Sequence, residues 1–300
     1  MVSLRIHLIG IVVVLLLLPG HAWGQYQRVQ QLAEQLRNPE PGVRRQAAIA
    51  LGRAGFAPSV ALLDDAMDEE ADVSVRLEIV RALRYIVFQR SAGYPAAMQA
   101  LARACDHEHQ PDELVRLRAN EALWEAAKRN TLDPVAYLER SLADPSLRLR
   151  LSAVAMLRRH GTPEVIGPLG RAATDRSQHE TIRLKAVEAL GAVALSDPGP
   201  VGRDVARANI RTTSLVNVPP LHPPGLLEQR HRRQIFLLAA IVDDASNSSA
   251  LRLQAVRSMG RVKDKAAVPV LSRIVQSHAD DAVRNQATLV LSHLLARQYE

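Results

Sequence analysis

Small and apolar residues return at helical spacing along most of the chain, each time beside an arginine. The first such stripe consists of Val43, Ala47, Ala50 and Leu51. Its members lie at positions i, i+4, i+7 and i+8, which fall on one face of a helix. Alanine in the middle of the stripe favours a close approach between packed helices. The same spacing returns in Ile182, Ala186, Ala189 and Leu190, and in Leu251, Ala255, Ser258 and Met259.

Seven motif arginines mark the copies of this pattern: Arg44, Arg76, Arg116, Arg150, Arg183, Arg252 and Arg284. Successive arginines are 32, 40, 34, 33, 69 and 32 residues apart. A period of roughly 20–50 residues is typical of a solenoid. The long fifth step indicates either an inserted segment or a decayed copy. Each copy predicts a pair of helices, in which an outer helix precedes the inner helix that carries the arginine.

The outer helices are predicted over Gln27–Arg37, Ser59–Met67, Ala96–Ala104, Pro134–Leu142, Pro163–Ala173, Arg232–Val242 and Ala266–Val275. Four residues before each arginine stand Glu40, Asp72, Asp112, Ser146, His179, Ser248 and Asp280. Aspartate and serine are favoured helix caps, and an acidic residue suits the positive end of a helix dipole. All of these residues except His179 therefore have side chains that are favoured near the start of an inner helix.

The chain resembles HEAT repeats through the stretches Val43-Arg44-x-x-Ala47-x-x-Ala50-Leu51-Gly52, Ile182-Arg183-x-x-Ala186-x-x-Ala189-Leu190-Gly191 and Leu251-Arg252-x-x-Ala255-x-x-Ser258-Met259-Gly260. It is similar, more narrowly, to the short HEAT-like repeats first recognised in phycobilisome lyases. The resemblance covers most of residues 26–300 and implies an all-α fold, a right-handed α-solenoid of about seven helix pairs whose inner helices line a concave side. It also implies that the acids at the helix starts meet the arginine of a neighbouring repeat. Pinning repeat to repeat is then the favoured role of the arginines, with ligand binding as the alternative.

The first 24 residues have the pattern of a secretory signal. Arg5 precedes an 11-residue apolar run, Leu8–Leu18, and Ala22-Trp23-Gly24 offers small residues for cleavage. A membrane span needs about 20 apolar residues, so the run favours cleavage over a retained anchor. The predicted organisation is a signal peptide over 1–24, repeats 1–5 over 25–195, a proline-rich insertion over 196–228 and repeats 6–7 over 229–300. The sequence thus predicts export, to a periplasm or to the extracellular space.

The insertion contains Pro198, Pro200, Pro219, Pro220, Pro223 and Pro224. Its Val218–Pro224 run is incompatible with a helix, because proline lacks the amide hydrogen and disfavours helix in the residue before it. Loops of this length are usually functional or disordered. A plain linker and a functional insertion stay equally open.

Few residues of the sequence are candidates for metal binding or catalysis. Cys105, His107 and His109 are the candidate metal ligands, in a predicted loop with Asp106 and Glu108. A zinc site needs four ligands in a tetrahedron, so a polar turn is the favoured interpretation. No phosphate loop, nucleophile elbow or His-Glu-x-x-His helix is present. The sequence therefore predicts that the chain is not an enzyme and holds no cofactor.

The formal charge of +7 raises the question of an anionic partner. Positions two, five and nine after the motif arginines turn away from the apolar stripe. The candidate partner-binding residues at these positions are Arg53, Glu78, Arg81, Tyr85, Arg118, Glu121, Glu125, Arg159, Lys185, Glu188, Arg257 and Arg261. Both signs of charge are interleaved, which suits a protein partner better than a phosphate backbone.

The functional prediction is therefore an exported, non-catalytic scaffold that binds another protein on its concave inner-helix face. It is expected to be a monomer or a subunit of a complex, to bind no nucleic acid, and not to span the membrane once the signal is cleaved. The alternatives are a cell-envelope module for an anionic polymer or lipid surface, an accessory or chaperone-like subunit of an envelope enzyme, and a divergent enzyme.

Overall fold

The computed structural model describes residues 20–129, 134–193 and 226–296. These residues form fourteen α-helices, one 3-10 helix over Pro163–Val165, and no strand. The α-helices are α1 (Gly20–Gln35), α2 (Pro41–Ala54), α3 (Ala57–Glu69), α4 (Val73–Phe88), α5 (Tyr94–Ala104), α6 (Glu113–Arg129), α7 (Val135–Ser141), α8 (Leu147–His160), α9 (Ile166–Thr174), α10 (Glu180–Leu190), α11 (Leu226–Asp243), α12 (Ser249–Val262), α13 (Ala267–Ser277) and α14 (Asp281–Ala296).

The alternation of outer and inner helices is as predicted, and the all-α, α-solenoid class is confirmed. The seven motif arginines fall on the even-numbered helices α2 to α14, which keep the name inner helices, and the odd-numbered helices are the outer ones. The predicted apolar stripes of α10 and α12 are fully covered, for example Ile182, Ala186, Ala189 and Leu190 of α10. In the stripe of α2, Ala47 and Leu51 are buried, whereas Val43 and Ala50 are half-buried. The fifth predicted outer helix is divided, because a 3-10 turn at Pro163 precedes α9.

Most of the predicted helix starts are confirmed in atomic detail. The side chains of Asp72, Ser146 and Ser248 each accept a hydrogen bond from the first free amides of their helices. Asp112, His179 and Asp280 accept equivalent bonds. Glu40 stands at the expected position without capping by its side chain. Pro41 follows it at the start of α2, where a missing amide hydrogen leaves one donor fewer to satisfy.

The chain divides into two compact units, Met1–Ala126 and Ala127–Glu300, named unit 1 and unit 2. In unit 1 the inner helices α2 and α4 pack on each other, and so do the outer helices α3 and α5. In unit 2 the inner helices α8, α10, α12 and α14 pack each on the next. Each helix buries its apolar stripe between its own partner and the neighbouring pair, which leaves the opposite face of the inner helices open.

Several predictions fall on residues that are not described. These are the signal residues up to 19 and the part of the insertion over 196–225. Helix α1 begins at Gly20 and continues past the expected cleavage position after Gly24. The signal peptide and the four-segment organisation stay predictions. In the described part of the chain, no helix combines the length and the apolar character needed to cross a membrane.

Candidate functional site

The motif arginine of α2 joins two successive loops. The Nε and Nη2 atoms of Arg44 donate to the two carboxylate oxygens of Glu70, at 2.7 and 2.8 Å, in the loop before the next inner helix. Its Nη1 donates to the backbone carbonyls of Asn38 and Pro39, in the loop before its own helix. A planar guanidinium with five donors suits this double role. The favoured prediction, that the arginines pin repeat to repeat, is confirmed for Arg44.

The equivalent arginines make the same link with different partners. Arg76 donates to Gln110 Oε1 at 2.8 Å, Arg150 to Gln178 Oε1 at 3.0 Å, and Arg183 to Asn247 Oδ1. Among the described residues, Asp280 is the one expected acid that forms an ion pair with the arginine of the preceding repeat, at 3.5 Å from Arg252. The expectation of a ladder built on the helix-start acids is thus wrong at Arg44 and Arg76, which bind Glu70 and Gln110 instead of Asp72 and Asp112. In the repeats that follow Arg44, Arg76, Arg150 and Arg183, the acceptor comes one or two residues before the cap, because the side chain of the cap is occupied by its own helix.

Glu70 illustrates the electrostatics of this link. Partial burial alone would raise the pKa of its carboxyl group. The hydrogen bonds from the Arg44 side chain and the Asp72 amide outweigh that effect and hold the pKa of Glu70 below its ordinary value. The hydrogen bond to Glu70 likewise raises the pKa of Arg44. Both groups therefore stay charged near neutral pH, which fits a structural role and leaves them unsuited to proton transfer.

The twelve candidate partner-binding residues are exposed or half-exposed on the inner helices, as predicted. Unit 1 carries Arg53 on α2, Glu78, Arg81 and Tyr85 on α4, and Arg118, Glu121 and Glu125 on α6. Unit 2 carries Arg159 on α8, Lys185 and Glu188 on α10, and Arg257 and Arg261 on α12. Arg53 and Arg159 lie in the last turns of their helices. The assignment of these residues to partner binding stays a prediction.

The unit 1 groove lies between α4 and α6 and has a volume of about 350 Å³. Leu77, Val80, Leu114 and Ala122 give it apolar walls. Its charged lining residues are Arg81, Arg84, Arg118, Glu121 and Glu125. Three ion pairs hold this charged rim: Arg81–Glu78 at 3.0 Å, Arg118–Glu121 at 2.7 Å and Arg84–Glu125 at 2.6 Å.

Arg84 is a member of this groove that the sequence analysis missed. It lies eight residues after Arg76, a position that Gly52 fills in α2 and Gly191 fills directly after α10. A small residue there is buried under the next repeat, and the sequence analysis took only positions two, five and nine as the open face. In α4 the long side chain extends across to Glu125 on the next inner helix, and its guanidinium lies 5.0 Å from the ring centre of Phe88. The sequence did contain a signal for this ion pair: an arginine eight residues after one motif arginine, and a glutamate nine residues after the next.

Glu188 is the centre of a second cluster, in unit 2. Its carboxylate lies 2.9 Å from Lys185 Nζ, 2.9 Å from Arg158 Nη1 and 4.0 Å from Arg261 Nη1. The pKa of Glu188 is lowered mainly by the hydrogen bond from Lys185, and the charges of Lys185, Arg158 and Arg261 lower it further. Arg158, which the sequence analysis also missed, occupies the position in α8 that Arg84 occupies in α4.

The candidate metal ligands lie in the loop after α5. His107 and His109 are about half exposed, and the Nδ1 atom of each lies 3.6 Å from a carboxylate oxygen of Asp106. Cys105 is half-buried at the end of α5. In the described segments, no three His, Cys, Asp or Glu side chains come together as a metal site would require. The loop gives no geometric support for coordination by these residues.

Comparison with known proteins bears on the repeats and on catalysis. Residues 29–124 match the family model of HEAT repeats. No curated protein is significantly similar to the chain in sequence. One of the solved structures that it resembles is human deoxyhypusine hydroxylase in complex with glycerol, with 18% identity and a TM-score of 0.37 over 92% of this chain and 99% of that chain.

That comparison corrects one prediction. The chain was expected not to be an enzyme, because familiar catalytic motifs are absent and helical repeats offer no deep pocket. The prediction is wrong as drawn, since an enzyme is found among the similar helical structures. At this identity and TM-score, the likeness assigns no reaction, substrate or cofactor to the chain.

The family match covers the end of α1, all of α2 to α5 and most of α6, and it includes the motif arginines Arg44, Arg76 and Arg116. It does not test the narrower resemblance to phycobilisome-lyase repeats, which stays a prediction. The described residues are therefore all-helical, and the stretch over residues 29–124 is similar to HEAT repeats.

Proposed function

We propose that the chain is an exported scaffold that binds another protein through the open face of its inner helices. The observation that carries this proposal is the unit 1 groove, where apolar walls meet a rim of both charges. Protein interfaces combine an apolar centre with a polar rim in this way.

The charges of the rim favour a protein over other partners. Arg81, Arg84 and Arg118 stand against Glu78, Glu121 and Glu125, so the six charges balance. Glutamates beside the arginines would repel a phosphate backbone, whereas a protein surface can supply complementary charges of both signs. The pairs are exposed, and exposed ion pairs contribute only about 0–1 kcal/mol each, so a partner can exchange them at little cost.

The proposed place of action follows from the first 24 residues. A basic start, an apolar run of 11 residues and small residues at a cleavage position are together the pattern of a secretory signal. We propose on this ground that the chain acts in a periplasm or outside the cell. The partner would then be a protein of that compartment.

Affinity capture from the envelope fraction tests the proposal. The double variant Arg81→Glu with Arg118→Glu reverses two charges on the groove and is expected to lose the partner that the unchanged chain retains. The double variant Arg28→Glu with Arg103→Glu makes the same charge change on exposed positions of outer helices α1 and α5, and is expected to retain it. If all three proteins recover the same partners and circular dichroism shows that they are equally folded, the unit 1 groove is not the binding site.

A further inference from the structure

The open faces of the two units differ in charge at equivalent positions. The comparison takes the residues two, five, eight and nine after the motif arginines of three inner helices in each unit. In α2, α4 and α6 the charged ones are Arg53, Arg81, Arg84 and Arg118 against Glu78, Glu121 and Glu125. In α8, α10 and α12 they are Arg158, Arg159, Lys185, Arg257 and Arg261 against Glu188. Unit 1 is nearly balanced at these positions, whereas unit 2 has five cations and one carboxylate.

Glu188 does not cancel this excess. Three cations share its carboxylate, Lys185 and Arg158 at 2.9 Å and Arg261 at 4.0 Å. One negative charge offsets one positive charge, so a net charge of 5 − 1 = +4 remains at these positions. The side chains of Arg158, Lys185 and Arg261 are 48%, 56% and 50% exposed, so their remaining donors are open to a ligand.

The other residues at the same positions are small or uncharged. Ala155 and Ala192 are exposed there, and none of the twelve described side chains at these positions is aromatic. Single-stranded nucleic acid is bound largely by stacking of its bases on aromatic rings, which this surface lacks. The central carboxylate would also repel a continuous line of phosphates. A polypeptide with spaced acidic residues can place its carboxylates on either side of Glu188 and its backbone over the alanines.

We propose that this cationic surface, formed by Arg158, Arg159, Lys185, Arg257 and Arg261 around Glu188, binds an acidic segment of a partner polypeptide. The proposal rests on the proposed function and gives the chemical class of one partner segment. Arginine is suited to the task, because its planar fork pairs with a carboxylate through two parallel hydrogen bonds.

A labelled peptide of alternating glutamate and alanine tests the proposal by fluorescence anisotropy with the full chain. Binding of this peptide is expected, and a peptide with glutamine in place of each glutamate is expected not to bind. Arg158→Gln with Arg261→Gln should weaken binding about tenfold, as for two charge-assisted contacts partly screened by water. Arg233→Gln with Arg273→Gln removes the same charge from outer helices α11 and α13 and should leave the affinity within about twofold.

Glu188→Gln provides a test that loss of folding cannot imitate. It removes the competing carboxylate, so the affinity for the acidic peptide should rise about threefold. The proposal is overturned if the peptide fails to bind, if Arg158→Gln with Arg261→Gln binds it equally well, or if Glu188→Gln weakens it in a folded protein. It is also overturned if an oligonucleotide of equal charge or anionic vesicles bind more tightly than the peptide and displace it. If the peptide experiment fails while partner capture still depends on Arg81 and Arg118, the binding of an acidic segment is rejected. The proposed function is then unaffected.

Discussion

At the scale of single residues, loops in this protein are joined by charged and amide side chains across successive repeats. Arg44 binds the carboxylate of Glu70 and two carbonyls of its own loop. Lysine, with three donors on one atom, would satisfy only part of this set. The link therefore depends on the geometry of the guanidinium as well as on its charge.

Asp244 makes a loop-to-loop contact of the same kind in unit 2. Its carboxylate accepts from the amide and the hydroxyl of Ser246 and from Arg176, in the loop before α10. The hydrogen bond from the Ser246 hydroxyl, followed by that from Arg176, lowers the pKa of Asp244 to about 2. A carboxyl group whose pKa is lowered by folding stabilises the fold above its unfolded pKa, and loses that effect as the pH falls through the folded value.

We therefore predict a pH-dependent effect for Asp244→Asn. The variant should have a lower urea midpoint than the unchanged chain at neutral pH, and the difference should shrink as the pH falls from about 4 towards 2. Urea unfolding followed by circular dichroism over this pH range measures it. Gln276→Ala, an exposed change on α13 without a titrating group, serves as the control. A difference for Asp244→Asn that is the same at pH 6 and pH 2.5 would contradict the assignment.

At the scale of helices, close approach between inner helices depends on small residues at one position. A methyl group built on Gly191 would lie 2.6 Å from Ser258 Cβ and 2.7 Å from its Cα, on the next inner helix. Gly52 stands in the same relation to Ala82 in unit 1, at 2.8 Å from its Cβ. Backbone atoms on the opposing side cannot move aside as a flexible side chain can, so the space is closed to larger residues.

Gly191→Ala should therefore destabilise the protein by about 1–3 kcal/mol, the usual cost of an added group in a close-packed interior. The free energy of unfolding in urea measures this. Gly167→Ala in α9 is the matched control, because a methyl group there would meet its nearest atom at 3.6 Å. The control should be unchanged or slightly stabilised, since alanine is the better helix former. Equal effects at both positions would show that the contact between α10 and α12 is looser than described.

The helices themselves were predictable from the sequence, because their signals are local. The apolar spacing and the caps gave each inner helix its start, from Asp72 before α4 to Ser248 before α12. The partners of the motif arginines were not predictable in the same way. Gln110 and Asn247 come from the next repeat, and their distance from the cap varies by one residue, so no fixed spacing reveals them.

The sequence predicted which side of the inner helices is exposed, but it predicted only some of the charged residues that interact there. Helical geometry alone identified Arg81, Arg118 and Glu188, because their positions lie on the side of the helix opposite the buried stripe. Arg84 and Arg158 were missed because a position that is packed in one repeat becomes a side-chain bridge in another. Which charges pair across helices depends on rotamers and on the distance between neighbours, and these are set by tertiary packing.

At the scale of the whole molecule, repeated helix pairs present open inner-helix faces of two different characters. Unit 1 offers a groove with apolar walls and balanced charges, and unit 2 offers a cationic surface. The proposed function and the further proposal therefore assign a different kind of partner segment to each of these faces.

The most direct test of the central claim is photo-crosslinking from a single position on either side of the helix pairs. A photo-reactive amino acid in place of Tyr85 samples the inner helix α4, and one in place of Phe236 samples the outer helix α11; both replace exposed aromatic residues. After illumination in the envelope fraction, we predict a discrete adduct with a partner protein from Tyr85 and none from Phe236. Adducts from Phe236 without any from Tyr85 would contradict binding on the inner-helix face.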